Sequence, residues 1–197
     1  MTSIPIFPLN VVLYPGTLLP LKIFEQRYLE MTKVCVRDAS PFGVCLIREG
    51  REVGLPAVPQ SFGCTAVISE WEMPQLGVFH LKALGAQPFR ILRLTTQTDG
   101  LIRADIEMLA ESAGTVVPAS FALCRSVLEQ IIRKIGVGYV HGPVDYDDPR
   151  WTGYRLAELL PLELVDKQAL LELRDDGARI ERLHTILMRG RWPNNYN

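Results

Sequence analysis

The chain has 197 residues, 48% of them hydrophobic and 22% charged, with a net charge of -1. A chain of this length buries roughly 70% of its unfolded surface and supports one domain or two small ones. The near-neutral balance argues against a basic nucleic-acid face, and no apolar run approaches the length of a bilayer span, so a globular cytoplasmic protein with no membrane segment is expected.

The stretch from Ile4 to Tyr28 is punctuated by Pro5, Pro8, Pro15, Gly16 and Pro20. Proline fixes φ and removes a donor, so the backbone is held in short extended pieces joined by rigid corners. Strands are expected at Ile4–Phe7 and Leu18–Ile23. After Phe24, the residues Tyr28, Met31 and Cys35 recur at helical spacing, with Glu25 and Glu30 early and Lys33 and Arg37 late, as the helix dipole favours. Further strands are expected at Phe42–Arg48, Cys64–Trp71, Gly77–Ala83, Phe89–Thr95 and Leu101–Met108, with a turn over Gly85–Pro88. The last strand is the clearest, because Ile102, Ala104, Ile106 and Met108 alternate with Arg103, Asp105 and Glu107. About seven short strands suit a small, partly open β-barrel, with the single helix plugging one side or end.

Small residues, a Gly and a Pro between Glu111 and Pro118 mark a boundary, and the apolar period then changes to that of helices. The expected division is residues 1–113 and 114–197. Phe121, Cys124, Leu128, Ile131 and Ile135 line one helical face that Gly136 and Gly138 end. Asp148 followed by Pro149 starts the next helix, since an Asp side chain caps free amides and Pro suits the first turn. Two more helices are expected at about Asp166–Arg174 and Asp176–Arg189, the latter burying Ile180, Leu183 and Leu187, and the end Pro193–Asn197 should fray. The fold class is therefore α+β, a β-barrel followed by a helical bundle.

Reactive chemistry is sparse. His80, His141 and His184 match no metal-ligand spacing, and Cys35, Cys45, Cys64 and Cys124 lack the close pairs of zinc or dithiol sites, so no metal and no cofactor is expected. No nucleophile elbow and no phosphate-binding Gly-Lys-Ser/Thr loop occurs. Asp145, Asp147 and Asp148 lack the turn Gly and distant Glu of a calcium loop. Arg174, Arg179, Arg182, Arg189 and Arg191, interleaved with Asp175, Asp176 and Glu181, read as an ion-paired helix surface. Aromatic and apolar residues in connections stand out instead. Tyr14 sits at a Pro-Gly corner, and Trp71, Met73 and Pro74 lie between strands, where an aromatic covered by a partner contributes about 1.5–3 kcal/mol.

The opening run Ile4–Gly16 with Leu19–Tyr28 resembles the start of the substrate-binding domain at the amino end of Lon-type ATP-dependent proteases, in its stand-alone form. Phe42–Ile47 with Glu52-Val53-Gly54, Gly63–Ile68, Gly85–Ile91 and, more weakly, Lys167–Glu172 extend the resemblance over nearly the whole chain. One departure is Pro88, where the family usually has an Arg. The resemblance implies a PUA-like barrel, no ATPase or Ser-Lys protease module, and a non-catalytic protein that binds exposed apolar segments of unfolded or misfolded polypeptides, alone or beside a separate protease or chaperone. Phe24–Tyr28 is a hallmark of the family. Its spacing makes it chiefly architectural, with Phe24 and Tyr28 facing the core and Glu25 and Arg27 pinning the preceding turn. Phe24 and Arg27 join Tyr14, Trp71 and Met73 as candidate peptide-binding residues. The rival functions are an RNA- or nucleotide-binding module, common among PUA-like barrels, and a hydrolase with a site assembled around His80 or His141.

Overall fold

A computed structural model of the chain describes residues 2–110 and 117–190. Two compact units form, Met1–Leu109 and Ala110–Asn197. The expected boundary between residues 113 and 114 lies outside the described residues, as does the frayed end at Pro193–Asn197.

The first unit is built on six strands: β1 (Thr2–Leu9), β2 (Leu18–Ile23), β3 (Phe42–Glu49), β4 (Val58–Gln75), β5 (Val78–Thr96) and β6 (Ile102–Met108). They pair in the order β2-β5-β4-β3-β1-β6, and β5 also pairs with β6, so five strands close on themselves while β2 stands outside the ring. β1 runs parallel to β3, a connection that spans helix α1 (Gln26–Asp38), and antiparallel to β6, with Thr2 opposite Ile106. Three shifts of register in β4, at Cys64/Ala66, Ile68/Glu70 and Glu72/Gln75, supply the local twist that bends so long a strand.

β5 departs from expectation, because the segment read as two strands and a turn is one continuous strand. Its first part, up to Leu84, pairs with β2, and its second part, from Phe89, pairs with β6. Gly85 lies at the change of partner, where its amide donates to Thr17 (2.9 Å) and its carbonyl accepts from Gly16 (2.8 Å). Gln87 is fixed across the sheet by two 3.1 Å hydrogen bonds with Thr65, one to the side-chain hydroxyl and one from it. These cross-strand bonds outcompete the local turn tendency of Gly and Pro.

The alternation in β5 and β6 places Phe79, Leu81, Ala83, Phe89, Ile102, Ala104 and Ile106 inside. Helix α1 buries Tyr28, Met31 and Cys35 in the same core as Phe7, Phe42, Val44 and Phe79, and the Tyr28 ring lies 4.2 Å from that of Phe7. Ala39 ends the helix in the left-handed region, and the Ser40 amide donates to the Cys35 carbonyl.

The second unit contains α2 (Phe121–Ile135), α3 (Pro149–Leu159), α4 (Leu164–Glu172) and α5 (Asp176–Met188). The expected start signal at Asp148-Pro149 operates through the Asp148 side chain, which accepts from the Arg150 amide at 2.9 Å. Asp175 caps α5 through the Ala178 amide at 2.7 Å. The buried stripe of α2 is Cys124, Leu128 and Ile132, rotated from the expected line through Ile131 and Ile135.

All four cysteines are buried and none forms a disulfide. Burial pushes the Cys45 thiol well above its ordinary range and the Cys124 thiol up to about 12. The thiolate is the reactive species. A thiol reagent at neutral pH is therefore expected to leave the folded chain unlabelled and to titrate four groups per chain after unfolding. Rapid labelling of the native protein would contradict this placement.

Candidate functional site

Beyond the ring, β2 and the adjoining ends of β5 and β4 form a three-stranded sheet with two dissimilar faces. Leu21, Leu81 and Trp71 lie in register across it, as do Lys22, His80 and Glu72, and Pro20, Lys82 and Glu70. The first row belongs to the core side, where Leu81 is buried and Leu19 and Leu21 pack on the main core. The side chains of the other two rows are exposed, and residues of all three rows line an open groove of about 610 Å³. In it Lys82 pairs with Glu70 at 2.8 Å, and His80 Nδ1 lies 3.3 Å from Glu72 Oε1. Both pairs are exposed to water, and such pairs contribute little, about 0–1 kcal/mol.

Apolar surface gathers at the hairpin that joins β4 to β5. Trp71 is 52% exposed, Met73 50% and Leu76, at the tip, 94%. The Trp71 ring meets Phe79 edge-on at 5.8 Å, so one side of the indole is anchored while the other remains open. Phe79 stands opposite Ile23, and Phe24, the next residue in the chain, is 52% exposed.

The five residues chosen from sequence separate into two groups. Trp71, Met73 and Phe24 are exposed, the first two on the β4–β5 hairpin and Phe24 just after β2. Phe24 was expected in the core, but Ile23 ends β2 pointing inward and strand alternation sends the next side chain out. Tyr14 is fully buried, contrary to its reading as an exposed corner aromatic. Its carbonyl accepts from the Thr17 amide at 3.1 Å, closing a tight turn through Pro15 and Gly16, and this turn folds the ring inward.

Arg27 is buried as well, at 6% exposure, and is correspondingly removed from any peptide surface. It donates to Glu25 at 2.9 Å and to the Gly100 carbonyl at 3.3 Å, and its guanidinium lies 4.7 Å from the centre of the Tyr28 ring. The architectural part of its reading, pinning the turn with Glu25, describes these contacts. Leu76 is a further exposed apolar residue, and its place just before Gly77 at a hairpin tip is the sequence signal for it.

His141 is exposed in its loop, and His80 is exposed on its strand face beside Glu72. Among the described residues no group of His, Cys, Asp or Glu is arranged to hold a metal ion, and no helix is long and apolar enough to cross a membrane. The argininyl surface expected on α5 is partly an interior feature, since Arg179 is 1% exposed.

A closed ring of strands with an outlying sheet, together with a helical unit, defines an α+β fold. The chain belongs to the ATP-dependent protease La (LON) substrate-binding domain family, whose model matches residues 3–189. A Lon N-terminal domain protein from Xanthomonas campestris, known from its crystal structure, is 31% identical and superposes with a TM-score of 0.78, over 98% of this chain and 100% of its own. The N terminal domain of Mycobacterium avium complex Lon protease shares the fold at 16% identity, with a TM-score of 0.73 over 96% of this chain and 100% of that one. Protein cereblon from Gallus gallus is 31% identical over 112 residues, 55% of this chain and 24% of cereblon. Lon protease from Escherichia coli strain K12 is 26% identical over 194 residues, 94% of this chain and 24% of the protease. The chain thus spans about a quarter (24%) of the length of these curated relatives. Family membership carries a role in substrate recognition.

Proposed function

We propose that the chain is a non-catalytic recognition protein that captures unfolded or misfolded polypeptides by their apolar segments, for a separate protease or chaperone to process. The observation that carries this reading is the run of exposed apolar side chains Trp71, Met73 and Leu76 on the β4–β5 hairpin, in a member of a substrate-binding family. Apolar side chains lost from a client's own core regain burial against these anchors, each worth about 1.5–3 kcal/mol when fully covered. Few anchors mean weak, reversible capture, which suits a module that must release what it holds.

Charge supports a polypeptide over a nucleic acid. In the groove Lys82 is matched by Glu70, and Glu72 lies beside His80, so no stripe of cations is offered to a phosphate backbone.

The test is binding of a permanently unfolded, carboxymethylated model protein by the intact chain and by a Trp71→Ala/Met73→Ala double variant. Loss of both anchors should weaken capture by about tenfold or more, about 1.4 kcal/mol in binding. Thermal stability should fall only slightly, because both side chains are half-exposed. Equal capture by variant and parent would remove the hairpin from the site.

A further inference from the structure

The outer edge of β2 has a hydrogen-bonding pattern that can be assigned residue by residue. The Tyr14–Thr17 turn leaves Gly16 at φ 76°, and Gly16 and Thr17 together face Gly85 as a bulge at the start of the strand. Because Gly85 donates to Thr17, the next residues to exchange bonds with β5 are Leu19 with Ala83, Leu21 with Leu81 and Ile23 with Phe79. The main-chain groups of Leu18, Pro20 and Lys22 consequently point away from β5. β2 ends the strand order, so no strand among the described residues pairs with these groups.

Pro20 falls on one of the outward positions. It has no N–H to lose there, which is where edge strands tolerate proline. The open edge therefore offers donors at Leu18 and Lys22, acceptors at all three residues, and a gap in the middle.

The side chains complete the description of an occupant. Leu19 and Leu21 are half-buried on the core side and extend the main core up to the edge. On the opposite face Lys22 is exposed and has no ion-pair partner among the described residues, since the nearby carboxylates Glu70 and Glu72 lie on β4 against Lys82 and His80. A strand laid along β2 meets apolar surface at every second position and a cation between them.

We infer that this edge accepts a client segment in extended form as an additional strand, one with apolar residues at alternate positions and an acidic residue between them. The inference rests on the polypeptide-capture reading above and specifies how the main chain of the client is held.

A fluorescent heptapeptide alternating Leu and Glu serves as probe, with the same peptide N-methylated at alternate amides as its control. Pro20→Ala restores the missing donor and should tighten binding by about fivefold, the worth of one main-chain hydrogen bond. Lys22→Pro removes a donor that the fold itself does not use and should weaken binding about fivefold or more. Lys22→Met keeps the donor and should lose only the preference for Glu over Gln in the peptide. A misfolded variant does not gain affinity, so the Pro20→Ala result stands independently of the others. N-methylation should abolish binding.

Unchanged affinity in both Pro20→Ala and Lys22→Pro would overturn the edge assignment, while the capture reading would survive if the Trp71→Ala/Met73→Ala variant still weakened binding. Absence of binding to the parent chain, for this peptide and for the unfolded protein, would remove both. Sedimentation showing that Pro20→Ala drives the chain into dimers without tightening the peptide would make a second copy the occupant and overturn the client assignment.

Discussion

Arg179→Ala should lower the stability of the helical unit by about 3–5 kcal/mol, the cost of leaving a buried partner charge without its mate. Arg179 is 1% exposed and Asp176 4% exposed. The guanidinium pairs with the Asp176 carboxylate, donates from Nε to the Leu170 carbonyl at 3.1 Å, and donates to the Leu173 carbonyl. It also lies 4.1 Å from the centre of the Tyr154 ring. Leu170 is in the last turn of α4 and Leu173 caps it, so a side chain of α5 satisfies carbonyls that have no partner within their own helix. Gly153 of α3 makes room for the stem: a Cβ there would come within 3.2 Å of Arg179 Cδ.

Truncation to Ala would therefore leave a cavity, two carbonyls without donors, and Asp176 held only by Arg150 at 3.1 Å. Arg179→Lys should recover little, because an ammonium does not reproduce the planar fork that reaches three acceptors. Urea unfolding of the intact chain measures the difference. A loss below about 1 kcal/mol, the usual effect of a surface position, would show that the network is peripheral.

Gly85→Ala is the second change with a large expected effect. A Cβ at this position would lie 2.1 Å from the Tyr14 carbonyl oxygen, an impossible contact with main chain. The turn has little freedom to move, because the Tyr14 carbonyl accepts from Thr17 while Gly16 and Thr17 are bonded to Gly85 itself. Relief requires β2 to pull away from β5. A cost of about 3 kcal/mol is expected, at the upper end for overpacking by one methyl group. Hydrogen exchange provides the signature: the amides of Leu19, Leu21 and Ile23 should lose protection far more than those of β6. Uniform loss across the sheet would indicate global destabilisation instead, and full protection would show that the turn accommodates the methyl group.

The same two positions show what sequence pattern conveys and what it conceals. Helix starts were legible because their signals are local: Asp148 bonds an amide two residues away, and Asp175 one three residues away. The alternation of β6 was legible because one of its faces is buried throughout its middle. Gly85-Ala86-Gln87-Pro88 was misread because glycine marks close approach of another main chain as readily as a turn. Only the distant Tyr14 carbonyl and Thr65 hydroxyl decide between them. The burial of Tyr14 and the exposure of Phe24 depend likewise on where one turn ends and one strand stops. Arg179 looked like one more arginine in a charged helix, since nothing near it in sequence announces that its acceptors are carbonyls of the preceding helix. Trp71 and Met73 were legible as candidates because large apolar residues stood where two strands meet.

Ring closure in the first unit sets an order of events. β1 is seated between β3 and β6, and the Arg103 side chain reaches the Ser3 carbonyl across 100 positions of chain. Until Met108 has left the ribosome, the strand made first lacks one neighbour and the late half of β5 lacks another. A nascent chain shorter than this exposes unpaired strand edges, which invite edge-to-edge association until the final strand locks in.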